Sequence, residues 1–497
     1  MKNYNNRWLC LIPVLCWTSP TLADYQTDIG YTALADWLGT STPAGVGVSV
    51  TQVEASQVPT ADSAFPVFAP DSTQFALDKN FSFPGLTSTS PSSHASGVGA
   101  LFYGSNAIAA GITQISSYEV NNWLNSIATN TVQAPVNGSR IANHSWVGAG
   151  ATSADDSAIL RYVDRQVERN ETIQVVGMAN SSSFSPLLGN AYNVIAVGRT
   201  DGGHDAGADA IDSVYVAGRT RPDLVAPETT TSAATPIVSA AAALLVETGH
   251  AGGLGLSKGS TTVNGVGTLY NAERSETIKA ALMAGADRVT ANGFLAPANI
   301  TDYRSSGHQT SNGLDDRFGA GQINILHSYQ IIAAGEQNSL QDGGSNAGAI
   351  ANYGFDYDAA FGGSAGANRT ATYAFNATAD MTLTAALVWN LGVANNSGLA
   401  TTLHNLNLEL FDVTTQTTTA LSASTLDNTE NLWVSLITGH DYELQVKAGE
   451  TGNFSWDYAL AWQMNTLQAA PVPLPGAVYL FASAIAGLAV AARRRKL

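Results

Sequence analysis

The segment from Thr230 to Leu245 constrains the fold of this chain more than any other. It reads Thr-Thr-Ser-Ala-Ala-Thr-Pro-Ile-Val-Ser-Ala-Ala-Ala-Ala-Leu-Leu. A helix that is small and apolar on all sides belongs inside a large core, and Pro236 is expected within its first turn, where backbone N–H groups lack intrahelical partners. Ser232 is therefore expected at the helix N-terminus, where free N–H groups and the helix dipole favour negative charge. A capping serine and a nucleophile are both compatible with this position.

Two upstream segments place further polar residues beside tightly packed elements. Ser92-Ser93-His94 begins a second helix, and Gly97 and Gly99 inside it predict close packing against another backbone, because glycine costs a helix about 1 kcal/mol. The segment 173–183 is predicted to be an apolar strand followed by a polar turn, with Asn180 at the start of the turn. Taken singly, His94 is interpreted as a structural histidine and Asn180 as a turn former.

In this order the segments resemble the subtilase (subtilisin-like) serine peptidase family. The His94 segment is similar to the family motif His-Gly-Thr-x-Val-Ala-Gly, and residues 231–236 are similar to Gly-Thr-Ser-Met-Ala-Ser/Thr-Pro. The order acid, histidine, serine is that of subtilisin. Further similarity to the family lies in Arg221-Pro222-Asp223-Leu224-Val225-Ala226-Pro227, in Tyr192-Asn193-Val194-Ile195-Ala196-Val197-Gly198 and in Arg140-Ile141-Ala142-Asn143-His144-Ser145-Trp146.

The resemblance covers roughly Gly45 to Gly335 and implies an α/β fold, a subtilisin-like αβα sandwich with a parallel sheet. It implies Ser232 as the nucleophile, His94 as the general base and Asn180 as the oxyanion donor, acting on a protein or peptide substrate. The chemistry needs no cofactor, since imidazole and carboxylate together activate the hydroxyl.

The acid position departs from the family pattern. Gln52 stands where the family has its aspartate, and Glu54 follows two residues later on the same strand. Side chains two residues apart face the same way, about 6.6 Å apart, and glutamate reaches one methylene further than aspartate. Either Glu54 completes a shifted triad, or the site has no functional acid. The shifted triad is favoured, because a carboxylate in an apolar strand end is costly to bury without a partner, and His94 is that partner.

Two glycines of the family motifs are also replaced. Thr230 stands before Thr231-Ser232, and Ala95 follows His94. We therefore expect a tighter substrate cleft.

Charge is distributed unevenly along the chain. Six of the 22 Lys and Arg residues lie within residues 1–7 and 493–497, so the remainder carries 16 basic against 39 acidic residues, a net charge of −23. Such a surface keeps a protein soluble and argues against nucleic-acid binding. Residues 1–23 are interpreted as a signal peptide. Because Cys10 and Cys16 both fall inside it, the mature protein is expected to have no disulfide.

Residues 24–335 are predicted to form the peptidase domain, which begins with a short helix at residues 31–38 and includes an amphipathic helix at residues 273–287. Residues 336–350 are interpreted as a linker and residues 351–467 as a β-sandwich domain, because the hydrophobic period changes to two. Strands are predicted at residues 382–389, 405–412, 431–437 and 442–446.

The β-sandwich domain resembles the C-terminal jelly-roll of some bacterial subtilases. Its Leu387-Val388-Trp389-Asn390, His404-Asn405-Leu406-Asn407-Leu408 and Asp427-Asn428-Thr429-Glu430-Asn431 segments carry the similarity. Asp427 and Glu430 leave two interpretations open, a structural calcium site or a solvated turn, the second being favoured because Ca²⁺ takes six to eight oxygens.

Residues 468–497 resemble a PEP-CTERM sorting signal. Val472-Pro473-Leu474-Pro475 precedes the 17 uncharged residues 476–492, which are followed by Arg493-Arg494-Arg495-Lys496. Seventeen residues are short for a membrane span, and the basic cluster is expected to stay cytoplasmic. The resemblance implies an exosortase-type transpeptidase as partner, passage through the inner membrane, and a final place in the cell envelope or extracellular polymer matrix of a Gram-negative bacterium. A plain membrane anchor is the alternative.

Two functions from different classes fit these features. One is a secreted or surface-sorted serine endopeptidase that uses Ser232, His94, Glu54 and Asn180. The other is a catalytically impaired scaffold that serves as a matrix or adhesive protein. The presence of both His94 and Ser232 favours the enzyme, whereas Gln52 at the acid position favours the scaffold.

Overall fold

A computed structural model of the protein describes residues 25–57, 65–288, 307–344, 346–362 and 368–466. The predicted signal peptide and the sorting signal lie outside these ranges. The helices are α1 Tyr25–Asp28, α2 Tyr31–Leu38, α3 Ser93–Phe102, α4 Val120–Ile127, α5 Ser153–Asn170, α6 Thr231–Gly252, α7 Ser275–Ala284 and α8 Ile325–Ala333. Helix α2 confirms the helix predicted for residues 31–38.

A seven-stranded parallel sheet organises the first part of the described chain. Its strands, in spatial order, are β3 Asn80–Ser82, β5 Gln114–Glu119, β1 Ser49–Glu54, β6 Ile141–His144, β7 Ile173–Gly177, β8 Ile195–Arg199 and β9 Leu224–Ala226. Because neighbouring strands run in the same direction, the carboxyl ends of β1, β6 and β7 lie side by side at one edge of the sheet.

Helices cover both faces of this sheet. Val50 and its register partner Ile141 pack into the apolar cluster that contains the alanines of α6. Val53 and Val176, which point to the opposite face, pack into a second cluster with Trp123 of α4 and Leu160 of α5. Because both faces are covered, even the polar side chains of the central strands are buried, as Gln52 of β1 and Asn143 of β6 show. The first part of the protein is therefore α/β, as predicted.

Antiparallel sheets form the C-terminal region. One contains β12 Tyr353–Phe361, β21 Trp456–Thr466, β14 Met381–Val388 and β19 Thr429–Leu436, and the other contains β13 Thr370–Asn376, β20 Asp441–Ala448, β17 Leu406–Asp412 and β18 Thr417–Ser422. Strands β14, β17, β19 and β20 confirm the four predicted strands to within about two residues. Inward-facing side chains of both sheets share one apolar cluster, as in a β-sandwich. Short two-stranded pairs complete the described strands: β2 Val67–Ala69 with β4 Ser90–Pro91, β10 Ser260–Val263 with β11 Gly267–Tyr270, and β15 Gly392–Val393 with β16 Thr401–Thr402.

Helix α7 corrects one prediction. An amphipathic helix was expected at residues 273–287, but all ten residues of α7 are buried, including Glu276 and Lys279. The cause is tertiary: strands of the C-terminal region cover one side of the helix, and Lys279 on another side donates to the carbonyl oxygen of Val194 in the α/β part at 2.7 Å. Thr384 Oγ1 and Gln463 Nε2 both donate to the carbonyl oxygen of Ala284, at 2.8 and 2.9 Å.

The described residues of the predicted linker, 336–350, are hydrogen-bonded to strands of the C-terminal region. Gln337 N donates to Phe355 O at 2.8 Å, and Leu340 N donates to Thr372 O at 2.9 Å. Ser339 is completely buried. Within the described ranges, α6 with the 3-10 turn that follows it (residues 231–255) is the one helix long and apolar enough to cross a membrane, and its apolar residues from Ala233 to Val246 lie in the core that packs against the parallel sheet.

Candidate active site

The predicted site residues converge on the carboxyl edge of the parallel sheet. Glu54 is the last residue of β1, and Asn180 follows the end of β7. His94 is the second residue of α3 and Ser232 the second residue of α6, and the two helices pack against each other.

Glu54 and His94 are in direct contact. Oε2 of Glu54 lies 2.8 Å from Nδ1 of His94, and the two side chains are 2% and 15% exposed. Burial by itself lowers the pKa of His94, but the charge of Glu54 and its hydrogen bond outweigh burial, so the pKa of His94 is raised from its ordinary value. This contact stabilises the imidazolium form and orients the ring, so that Nε2 is the nitrogen left to accept a proton.

Gln52 supports Glu54 rather than replacing it. Its Nε2 donates to Oε1 of Glu54 at 2.8 Å and to the carbonyl oxygen of Ala95 at 2.9 Å. The hydroxyl of Tyr103 donates to Oε1 of Gln52 at 2.5 Å. Each atom of the Gln52 amide therefore has a partner, and each oxygen of Glu54 has one as well.

Tyr103 is a site residue that the sequence interpretation missed. Its signal was Gly99, one helical turn earlier. A Cβ at Gly99 would lie 2.5 Å from the Tyr103 hydroxyl and 2.9 Å from the ring of Phe75. The prediction that Gly99 packs against another backbone was therefore wrong, because the space that glycine leaves is filled by aromatic side chains.

The start of α6 also differs from the prediction. Thr230 is the N-cap, and its Oγ1 accepts from the N–H of Ala233 at 3.2 Å. Ser232 is thus not the capping residue, and Pro236 lies in the second turn rather than the first. Proline has no N–H, so the carbonyl of Ser232 lacks its usual helical donor. The Ser145 hydroxyl takes that place at 3.0 Å.

The Ser232 hydroxyl donates to the carbonyl oxygen of Ser145 at 3.3 Å. In the described part of the chain, no hydrogen bond joins it to His94. The structure therefore brings Glu54 and His94 together but leaves the serine–histidine hydrogen bond open. Catalytic hydrogen bonds often tighten only when substrate binds, and rotation about χ1 of Ser232 redirects its hydroxyl.

Asn180 lies against the first turn of α6. Its Oδ1 accepts from the N–H of Thr231 at 3.0 Å, and the residue is half-buried. Because Oδ1 is engaged by a backbone donor, the amide NH₂ is the end that is left to donate. This group and the nearby helix N-terminus are the kinds of donor that stabilise an oxyanion.

Asp427 and Glu430 are buried, at 3% and 0% exposure, so the solvated-turn interpretation was wrong. Asp427 accepts from Thr220 N at 3.0 Å and from Ser424 Oγ at 2.8 Å, and Glu430 accepts from Ser422 Oγ and, at 2.6 Å, from Ser424 N. Protein donors that point at both carboxylates do not suit calcium, which requires a shell of oxygens.

Another group of metal-ligand type consists of His308, Asp315 and Asp316, whose ligand atoms lie within 4.8 Å of one another. His308 Nδ1 contacts Oδ1 of Asp316 at 3.0 Å, and Asp315 accepts from the N–H groups of Arg317 and Phe318 at 2.8 Å each. These contacts account for the arrangement without a cation.

No family model and no curated protein matches this chain. Among solved structures, the chain is similar to the proteases from Pseudoalteromonas arctica PAMC 21717, with 14% identity over 62% of this chain and 96% of that one and a TM-score of 0.33. It is also similar to the pre-peptidase C-terminal domain of the Bacillus anthracis collagenase, with 16% identity over 23% of this chain and 92% of that one and a TM-score of 0.18. At these TM-scores neither similarity decides the activity of this chain.

Proposed function

We propose that this protein is a serine endopeptidase of the subtilisin-like type, with Ser232 as the nucleophile, His94 as the general base and Glu54 as the acid. The observation that carries the proposal is the 2.8 Å contact between Glu54 and His94 at the carboxyl edge of the sheet. Asn180 and the N-terminus of the Ser232 helix meet at the same edge, and the order of the three residues in the chain matches the subtilisin order.

In the proposed reaction, His94 Nε2 takes the proton of the Ser232 hydroxyl as its oxygen attacks the peptide carbonyl. The amide NH₂ of Asn180 and the backbone N–H of Ser232 stabilise the oxyanion, a contribution on the order of 10² to 10³ in rate for one donor. His94 then protonates the leaving amine, and water hydrolyses the acyl-enzyme by the same route.

Labelling with a fluorophosphonate probe tests the nucleophile. The full-length wild-type protein is expected to be labelled, and the Ser232→Ala variant is expected to lose labelling completely. Ser182→Ala is the matched control, because Ser182 is exposed and lies in the turn beside Asn180. Labelling that persists in Ser232→Ala would place the nucleophile elsewhere.

The alternative, a catalytically impaired scaffold, is favoured by one observation. The Ser232 hydroxyl is held by the Ser145 carbonyl and makes no hydrogen bond with His94 in the residues described. A folded wild-type protein that resists the probe at every pH from 6 to 9 would support the scaffold over the peptidase.

Export and sorting form a separate part of the proposal. Residues 1–23 act as a signal peptide, and residues 468–497 act as a sorting signal that an exosortase-type transpeptidase removes. We expect protein recovered from its native host to end near Pro475. Intact-mass analysis decides this, because mature protein that still carries Arg493 to Leu497 is permanently anchored.

A further inference from the structure

We propose that Gln52 and Tyr103 are positioning residues that allow a glutamate to serve as the acid of this site. Tyr103 orients the amide of Gln52, Gln52 holds one oxygen of Glu54, and the other oxygen is thereby presented to His94. This inference rests on the proposed function, since it gives the Glu54–His94 pair its catalytic purpose.

The orientation of the Gln52 amide is set by its neighbours. A carboxamide has one accepting and one donating end. The carbonyl of Ala95 can only accept, which requires Nε2 at that end, and the Tyr103 hydroxyl donates to Oε1 at the other end. Burial, with the nearby charge of Glu54, raises the pKa of Tyr103 well above its ordinary value. The phenol therefore keeps its proton and remains a donor.

Glu54 needs such support more than an aspartate does. It has one more rotatable bond, and its side chain is only 2% exposed. Without Gln52, Oε1 of Glu54 would lose its donor at a buried position, which is costly for a charged group. The donor is also uncharged. A second carboxylate at residue 52 would repel Glu54 and raise the pKa of one of the pair.

The side chains around Tyr103 hold its phenol in place. Tyr103 is completely buried, and its ring contacts those of Phe75 and Phe81 with centroid distances of 5.3 and 5.9 Å. Gly99 leaves the space that the hydroxyl occupies. The phenol is therefore held by packing on its ring and by the Gln52 amide at its oxygen.

The pKa of His94 reports this positioning without any need for activity. It is measured by NMR on the full chain in a Ser232→Ala background, with Gln52→Met, Tyr103→Phe and Tyr215→Phe introduced separately. Methionine preserves the length of glutamine but cannot donate. Tyr215→Phe is the matched control, because Tyr215 is a fully buried tyrosine whose hydroxyl donates to Asp164 at 2.8 Å.

We expect Gln52→Met and Tyr103→Phe to lower the pKa of His94, because a displaced Glu54 no longer offsets the effect of burial. Tyr215→Phe leaves that pKa unchanged. In protein that retains Ser232, Gln52→Met is expected to reduce kcat by about 10- to 100-fold, which is the factor that the loss of one hydrogen bond to a charged group represents. KM is expected to stay the same, since neither Gln52 nor Tyr103 contacts substrate in the proposed reaction.

A folded Gln52→Met protein whose His94 pKa equals that of the control overturns the positioning role. This outcome is distinct from failure of the proposed function, which is read from fluorophosphonate labelling of Ser232. If labelling fails but the pKa of His94 is lowered by Gln52→Met and Tyr103→Phe, the positioning role is supported and the proposed peptidase activity is rejected. If labelling succeeds and the two variants leave the pKa of His94 unchanged, the peptidase activity is supported and the positioning role is rejected.

Discussion

Glu54 differs from an aspartate by one methylene, and with that longer side chain its carboxylate lies 2.8 Å from the imidazole of His94. Residue 54 ends its strand two positions beyond the place where the subtilase pattern has its acid. Its side chain extends to His94 while its second oxygen is held by Gln52. We expect a side chain of the same charge but shorter reach to lose one or both of these contacts.

Substitution of Glu54 tests this dependence on both charge and length. Glu54→Gln is expected to reduce kcat by about 10⁴-fold, the loss seen in other triads when the acid becomes an amide and the wrong tautomer is favoured. Glu54→Asp keeps the charge but shortens the side chain, so we expect it to lose at least tenfold by the same loss of contact. Steady-state kinetics on a peptide substrate measures both. Near-normal turnover of Glu54→Gln would remove Glu54 from the triad.

At the scale of elements, the start of α6 shows how a helix-breaking residue is accommodated beside the site. Thr230 caps the helix, and Pro236 removes one backbone donor in the second turn. Ser145, the residue that follows β6, supplies that donor from its hydroxyl, and its carbonyl oxygen accepts from the Ser232 side chain. Strand β6 and helix α6 are thereby joined at Ser232, the proposed nucleophile.

A double-mutant cycle measures this connection. Ser145→Ala leaves the Ser232 carbonyl without a donor and is expected to lower the free energy of unfolding by about 1–3 kcal/mol. In a Pro236→Ala background the new N–H of residue 236 serves that carbonyl, so Ser145→Ala is expected to cost less there. Urea unfolding of the four proteins gives the coupling energy. Additivity within about 0.5 kcal/mol would show that the two donors are independent.

At the scale of the whole molecule, the C-terminal region packs against the α/β part through polar contacts as well as apolar ones. Asp427 accepts from Thr220 N, and Asn431 Nδ2 donates to Asn312 O at 3.2 Å. Beside them Glu430 is completely buried, and burial raises its pKa to about 9. An acidic chain thus buries a carboxyl group that prefers to keep its proton.

This burial predicts a pH dependence of stability. Because the pKa of Glu430 is higher in the folded state than in the unfolded state, the folded protein binds more protons between about pH 4.3 and pH 9. Its contribution to stability is therefore lost as pH rises through that window. The free energy of unfolding of the wild type is expected to fall between pH 5 and pH 8.5. In Glu430→Gln we expect that fall to be smaller by more than about 1 kcal/mol, which corresponds to a pKa shift of less than one unit.

The exposed acid Asp36 provides the control for this measurement, and Asp36→Asn is expected to leave the pH dependence as in the wild type. Denaturant unfolding at the two pH values decides the question. A pH dependence of Glu430→Gln that equals that of the wild type would show that Glu430 titrates alike in both states.

Several elements and the candidate residues could be predicted from the chain alone. The all-round apolar surface of α6 and the period-two segments of the C-terminal region depend on neighbours along the chain, and periodicity records such neighbours directly. Residue types and their order in the chain likewise made Ser232, His94, Asn180 and Glu54 candidates, and the pairing of Glu54 with His94 was expected because a buried carboxylate needs a partner.

The contacts that join distant parts of the chain became evident only in the folded protein. Tyr103 meets Gln52 across 51 positions, and Ser145 meets Ser232 across 87. Helix α7 carries two charged side chains, yet Glu276 is buried against the C-terminal region and Lys279 against the α/β part. The physical reason is that a hydroxyl, an amide or a buried carboxyl is satisfied by whichever partner the fold brings within hydrogen-bond distance, and local sequence patterns carry no record of that partner.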